Sequence, residues 1–394
     1  MNKKMNFLFS VLFLAGCGSN HVNYVGSVPK NTIKVHLGLD TCKTIAQSAS
    51  KDLVPFLSET TENSTCSPAS YALALGGVVS ASVNGQTFAQ NCGFSDAYED
   101  EFVHLLNGMN WMEEDNSLRS AVLYQQIGPS LAFDDAKREA MAKKYISSMV
   151  SSHDSYRDDA QQFFKNEIDL DLKIPALPLN GYDAIATYGA LKLVDSFAID
   201  ADEKKNDFYL DSGEKISVNS LPLMGYEMKY YETEDYASLS KTISNTSVFF
   251  ILPKDGVELE TIDPYQAYLD YKENAETVKA TGYLPYFHVR NQIDISKPVT
   301  QKDTDGKIQL FKKLLKDDQE HNIDISGGLQ VNDFEFSPHG VKGESVTVIY
   351  ATESCSFVPE EMKEITFNVD KPFYAISIYE DFPLFISKIS NPNT

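Results

Sequence analysis

Apolar positions recur at helical spacing early in the chain and switch to alternating or continuous runs later. From Thr41 to Leu57, Ile45, Ala46, Ala49, Leu53 and Phe56 mark one face of a first helix. Ser67 and Pro68 then suit an N-cap and a first helical position, and Tyr71 to Val79 is apolar nearly all round, predicting a buried helix. Glu101 to Leu106 reads as another helix, Ala121 to Tyr124 as a short strand, and Phe133 to Met149 as a helix with mixed charge on one face. The middle turns to β structure. Tyr188 to Phe197 is a mostly apolar run, Phe208–Leu210 and Lys215–Val218 flank an Asp-Ser-Gly turn, and Lys229–Tyr231, Ser247–Leu252 and Gly282–Val289 read as strands. After Gly340 comes a small-residue alternating segment, a loop, and two closing strands over Ile365–Phe373 and Pro383–Pro392. Helices early, strands late and no βαβ alternation predict an α+β fold.

The N-terminus stands apart. Lys3 and Lys4 precede the apolar run Phe7 to Leu14, too short for a permanent span and built like a secretory signal. Leu14-Ala-Gly-Cys17 follows at once and resembles the bacterial lipobox, in which the cysteine is lipidated and becomes the first mature residue. An ordinary signal with a chance cysteine is the alternative. Residues 1–16 are thus expected to be a signal peptide, residues 17–38 the lipidated Cys17 and a tether lifting the domain off the membrane, and residues 39–394 one domain. The expected location is the outer membrane or cell surface, facing periplasm or extracellular space.

Charge and chemistry narrow the function by exclusion. The formal net charge is −22, and removing residues 1–16 with their two lysines makes it −24. Such a surface repels phosphate backbones, so no nucleic-acid partner is expected. Cys42, Cys66, Cys92 and Cys355 have no zinc-ligand spacing; they allow three pairings that sequence does not choose between. Cys66 and Cys92 fit a core, whereas Cys355 sits in a polar, exposed loop. There is no nucleophile elbow, zinc-protease helix motif or phosphate loop, so no catalytic residue, cofactor or metal is expected. His104 reads as a satisfied core residue and His339 as a solvated loop residue. Asn63-Ser-Thr65 and Asn245-Thr-Ser247 match glycosylation acceptors by chance.

Several segments, taken in order, resemble the serpin family. They are Asn63-x-x-x-Ser67-Pro68-x-Ser70 with Ala72-Leu73-Ala74, Phe102 to Leu106, Phe208-Tyr-Leu, Gly213-Glu-Lys, Tyr230-Tyr-Glu232 and Phe250 to Gly256. The ending adds Phe367-x-Val-Asp-x-Pro-Phe373, Leu384-Phe385 and Asn391-Pro392. The similarity spans about residues 39–394. It implies a large mixed central sheet, smaller sheets, a helical N-terminal half and an exposed reactive-centre loop. It also implies a monomeric inhibitor and not an enzyme, a suicide substrate of serine-type endopeptidases (less so of cysteine proteases). In that family a protease cuts the loop, which then enters the main sheet as a new strand. A serpin-fold lipoprotein serving as a binding or surface module is the alternative.

Insertion sets a side-chain requirement, because successive strand residues face opposite sides. From the hinge at Gly340, the inward set is Val341, Gly343, Ser345, Thr347, Ile349 and Ala351, none charged; Lys342 and Glu344 fall in the other set. A one-residue shift would bury both charges. An ordinary half-buried strand alternates for the same reason. The family's usual Asn and Trp in the receiving strand are replaced by Ile185 and Leu193, its Ala-rich hinge is missing, and Pro338 removes a backbone donor just before the hinge. Counting from Gly340 puts the cleaved bond at Ser354–Cys355, whereas counting back from Pro372 points near Glu361–Met362.

Overall fold

The computed structural model describes residues 23–31, 34–36, 39–113, 116–197, 202–317, 323–345 and 363–394. Cys17, Thr347, Ser354 and Cys355 lie outside the described residues.

Eight α-helices form among the described residues: α1 (Leu39–Ser58), α2 (Pro68–Ala81), α3 (Gln86–Asn91), α4 (Tyr98–Gly108), α5 (Asp135–Ala142), α6 (Tyr156–Ile168), α7 (Pro264–Asn274) and α8 (Ser296–Thr300). Helix α2 starts as its sequence dictates. The Ser67 hydroxyl accepts from the Ser70 amide at 3.2 Å, Pro68 takes the first turn, and the helix is buried almost all round. The helix expected over Phe133–Met149 is corrected: α5 stops at Ala142, Tyr145 turns the chain at φ +61°, and Ile146 to Met149 are buried as a strand. The charged helical face fits only the eight residues of α5; the rest pairs with a neighbouring strand.

The first sheet has eight strands: β1 (Tyr24–Val25), β3 (Trp111–Glu113), β4 (Asn116–Ile127), β5 (Ile146–Ser151), β6 (Ala184–Ser196), β12 (Phe287–Asp294), β13 (Leu329–Ser337) and β14 (Gly340–Ser345). Their order is β1-β5-β4-β6-β14-β13-β12, with β3 on β4; only β4 and β5 run parallel. The second sheet has nine: β2 (Ser64–Cys66), β7 (Lys204–Tyr209), β8 (Lys215–Glu232), β9 (Tyr236–Thr242), β10 (Ser247–Pro253), β11 (Glu276–Pro285), β15 (Lys363–Asn368), β16 (Phe373–Tyr379) and β17 (Phe382–Ile389). Their order is β15-β11-β8-β9-β10-β16-β17-β2, with β7 on β8. The single strand expected over Gly282–Val289 is two strands in different sheets. Pro285 has no amide to give the ladder, and the chain crosses over at Tyr286, whose own amide donates to Asn219. Val369 to Pro372 likewise separates β15 from β16.

One core lies between the sheets and under α1 and α2. A second covers the outer face of the first sheet, where α6 and the connection after it place Phe164, Leu172 and Ile174 over Leu123, Tyr188 and Ala190. Residues 17–38 are not a free tether where described. Tyr24 and Val25 pair with Met149 and Ser148, and Val28 is buried in the second core, so the folded body begins upstream of residue 39.

Candidate functional site

Strand β14 is the feature that matters, because it lies between β6 and β13 near the middle of the first sheet. It follows β13 through a two-residue turn, Pro338-His339, which closes on the Ser337–Gly340 pair. Pro338 therefore occupies a turn position, where no ladder bond needs its amide. Gly340 has φ +123°, and a Cβ there would lie 2.3 Å from the Asp195 carbonyl oxygen, so the position demands glycine.

The register is set on both sides. Gly340 to Ser345 pair with Ser196 to Leu191 on β6, and with Ser337 to Asn332 on β13. Val341, Gly343 and Ser345 point inward and are buried; Lys342 is exposed and Glu344 half-buried on the outer face. The inner contacts explain each residue's size. A Cβ on Gly343 would lie 2.4 Å from the Phe385 ring, which stacks on Phe334 at 4.8 Å. Ser345 fits a buried polar pocket, its hydroxyl 2.8 Å from that of Ser70 and donating to Asn332 Oδ1 at 2.9 Å. Asn332 donates onward to the Thr65 carbonyl, and Gln330 brackets Ser67 by accepting from its amide at 2.9 Å and donating to its carbonyl at 3.0 Å. Every buried polar atom of this group named here has a partner, as a dry site requires.

Outside, Glu344 meets Lys192 at 3.1 Å and accepts from the Asp171 amide at 3.0 Å, tying β14 to β6 and to the α6–β6 connection. At the Gly340 end, the carboxylate of Asp195 is fully buried and accepts from the amides of Ser244, Asn245 and Thr246 and the Thr246 hydroxyl. That anchors β6 to the turn between β9 and β10. Pairing along β14 stops at Leu191; below it, residues 184–190 of β6 have no partner on that side among the described residues.

Of the residues singled out from sequence, Gly340, Val341, Gly343 and Ser345 share one strand, whereas Thr347, Ser354, Cys355 and Cys17 fall outside the described residues. Leu193 is buried between Gly343 and Leu118, and Ile185 lies half-buried opposite Gln126. Trp111 is buried against Tyr379, far along the chain from both. Cys42, Cys66 and Cys92 are buried free thiols, and burial pushes Cys42 up to about 12. His104 corrects the core reading: Phe102, Leu105 and Leu106 face inward, and residue 104 falls on the exposed side of α4. Asn63 is engaged by the amides of Ser390 and Asn391. Sequence reasoning missed Asn332, Gln330, Asp195 and Lys192. Ser70 was visible inside Ser-Pro-x-Ser, but its partner stands 275 residues away and no local pattern points to it.

With this geometry in hand, comparison with known proteins is specific. The family model described as Serpin (serine protease inhibitor) matches residues 193–392. The thermophilic serpin tengpin in its latent state superposes with a TM-score of 0.71 at 18% identity, over 91% of this chain and 99% of that one. Serpin48 of the insect Tenebrio molitor gives 0.70 at 16% over 89% and 98%. Human thyroxine-binding globulin complexed with its hormone gives 0.71 at 16% over 89% and 98%. At these identities the likeness is one of fold. No curated protein sequence matches the chain significantly.

Proposed function

The chain belongs to the serpin family, and from that premise we propose that it is a single-use inhibitor of serine-type endopeptidases, held at a membrane through lipidated Cys17. Residues 346–362 join β14 to β15 and supply the bait. The protease serine oxygen attacks a bait carbonyl, with Ser354–Cys355 the candidate bond; an ester forms, the amide C–N bond breaks, and the leaving amine takes the proton. The half still esterified to the protease then extends β14 down the sheet and carries the protease with it.

The observation that carries this reading is the seat of β14 between β6 and β13. Its register, if continued after cleavage, would set Thr347 opposite Gly189 and Gln330 on the inner face. It would set Val346 and Val348 opposite Ala190 and Tyr188 on the outer face, which α6 and its connection cover. The outward set changes from charged to apolar where the covering begins, so both faces of the extended strand would be matched to their surroundings. Incubation with serine proteases should give denaturant-resistant complexes. Thr347→Arg should be cleaved without trapping, because an arginine would be forced inward; trapping by that variant at the native rate would remove the proposal. The anchor is tested separately: Cys17→Ser should move the protein from the membrane to the soluble fraction.

One observation favours a second reading, a serpin-fold binding or surface module. Six residues of β14 are seated before any cut, so part of the drive for insertion is already spent. Loop cleavage separates the two: it should raise the melting temperature of an inhibitor by several degrees or more and leave that of a binding module unchanged.

A further inference from the structure

We infer that the lipid-anchored molecule stands on the Ala184 pole of the first sheet, opposite Gly340, resting that pole on the bilayer with Tyr182 and Val150 against the lipid. This rests on the reading of Cys17 as the lipidated residue.

Where it is described, the segment before α1 is fixed and not loose. Tyr24 and Val25 add a strand to the free edge of β5. The Tyr24 ring packs edge-on against Phe163 at 4.8 Å, and its hydroxyl donates to Glu167. Gly26, at φ +111°, lets the chain pass where a Cβ would come 2.8 Å from Ser147 Cα. Arg119 donates to the Pro29 carbonyl at 3.3 Å, and Asn31 to that of Asn107 at 3.1 Å. Cys17 is seven residues before Tyr24, so the anchor reaches at most about 25 Å from the sheet edge.

Strand direction says which way that reach points. β5 runs parallel to β4, with Ser151 opposite Ile127, and Ile127 is opposite Ala184 at the start of β6. β1 is antiparallel to β5, so the chain enters β1 from the side of that same pole. Gly340 pairs with Ser196, at the other end of β6. Met149, Gln125 and Ala186 share one level, and the ten residues from Ala186 to Ser196 span about 34 Å. Two large apolar side chains are exposed at the anchor pole: Tyr182, 77% exposed just before β6 begins, and Val150, 50% exposed on β5. Tyrosine favours the headgroup boundary, and a net charge of −22 offers no attraction to an anionic leaflet, so the contact is with a lipid surface through acyl chain and apolar side chains. The Gly340 end of the sheet then faces away from the bilayer.

The test uses the full lipidated chain in phosphatidylcholine vesicles carrying a headgroup nitroxide. A fluorophore is attached at Tyr182→Cys or, at the opposite pole, at Ser244→Cys, each with Cys355→Ser; Ser244 is exposed and bonded to Asp195. The label at 182 should lose most of its emission and the label at 244 almost none. Gly26→Val, which undocks the segment, should make the two labels alike while the protein stays vesicle-bound. Equal quenching at both sites in an acylated, vesicle-bound protein would overturn the inference and leave the anchor standing. An unacylated Cys17 by mass would overturn the anchor and this orientation together.

Discussion

At the scale of single residues, the seat of β14 is defined by atoms and not by smallness alone. Replacing Ser345 with alanine fills no less space than glycine does at 343, yet it strips Ser70 and Asn332 of a buried partner. The expected cost to the uncut protein is about 1–2 kcal/mol, measured as a shift in urea midpoint. Asp195→Asn should cost more, about 2–3 kcal/mol by the same measurement. Its carboxylate faces only donors, and an amide nitrogen would oppose one of them. Asp183 gives a pH signature. Hydrogen bonds from Ser130 and from His153, at 2.8 Å, hold its carboxyl down at about 2. A depressed carboxylate contributes stability that is full above the ordinary carboxylate range and is lost as pH falls from there through about 2. His153→Ala should raise the Asp183 titration midpoint, followed by NMR. None of these roles was legible in the sequence, because a serine, asparagine or aspartate shows its partner only once the fold brings distant segments together.

At the scale of elements, β14 is held from both faces, and each grip is separately testable. Gly343→Val drives a branched side chain into the Phe385 ring, so the strand should leave its seat. Loop cleavage of that variant should then bring no gain in melting temperature. The Glu344–Lys192 pair has little exposure at either side chain, and a double-mutant cycle should give a coupling of about 1 kcal/mol that shrinks in high salt. Elements with a strong local signal were readable. The Ser67-Pro68 start of α2, the hairpin of β7 and β8, and the alternation of Gly340 to Ser345 all appear where their patterns put them. The failures have a common physical cause. β5 is a short strand of Ile, three Ser, Met and Val whose identity comes from pairing with β4, and the break at Tyr286 reflects which sheet each half joins. Local periodicity carries neither piece of information.

At the scale of the whole molecule, the order of many weak motifs made the fold legible, since each is fixed by packing against the others in sequence. The path of residues 23–31 and 34–36 was not, because they have no period and are held by a two-residue pairing with β5 and by scattered contacts, among them to Glu167, Asn107 and Trp111. The placement of the last three strands has a further outcome. β16 and β17 are buried along their whole length inside the second sheet, and both come after the bait. A blade passed through the bait therefore yields two polypeptides but one particle. The short tail should co-elute with the long piece in native size exclusion and part from it only in denaturant.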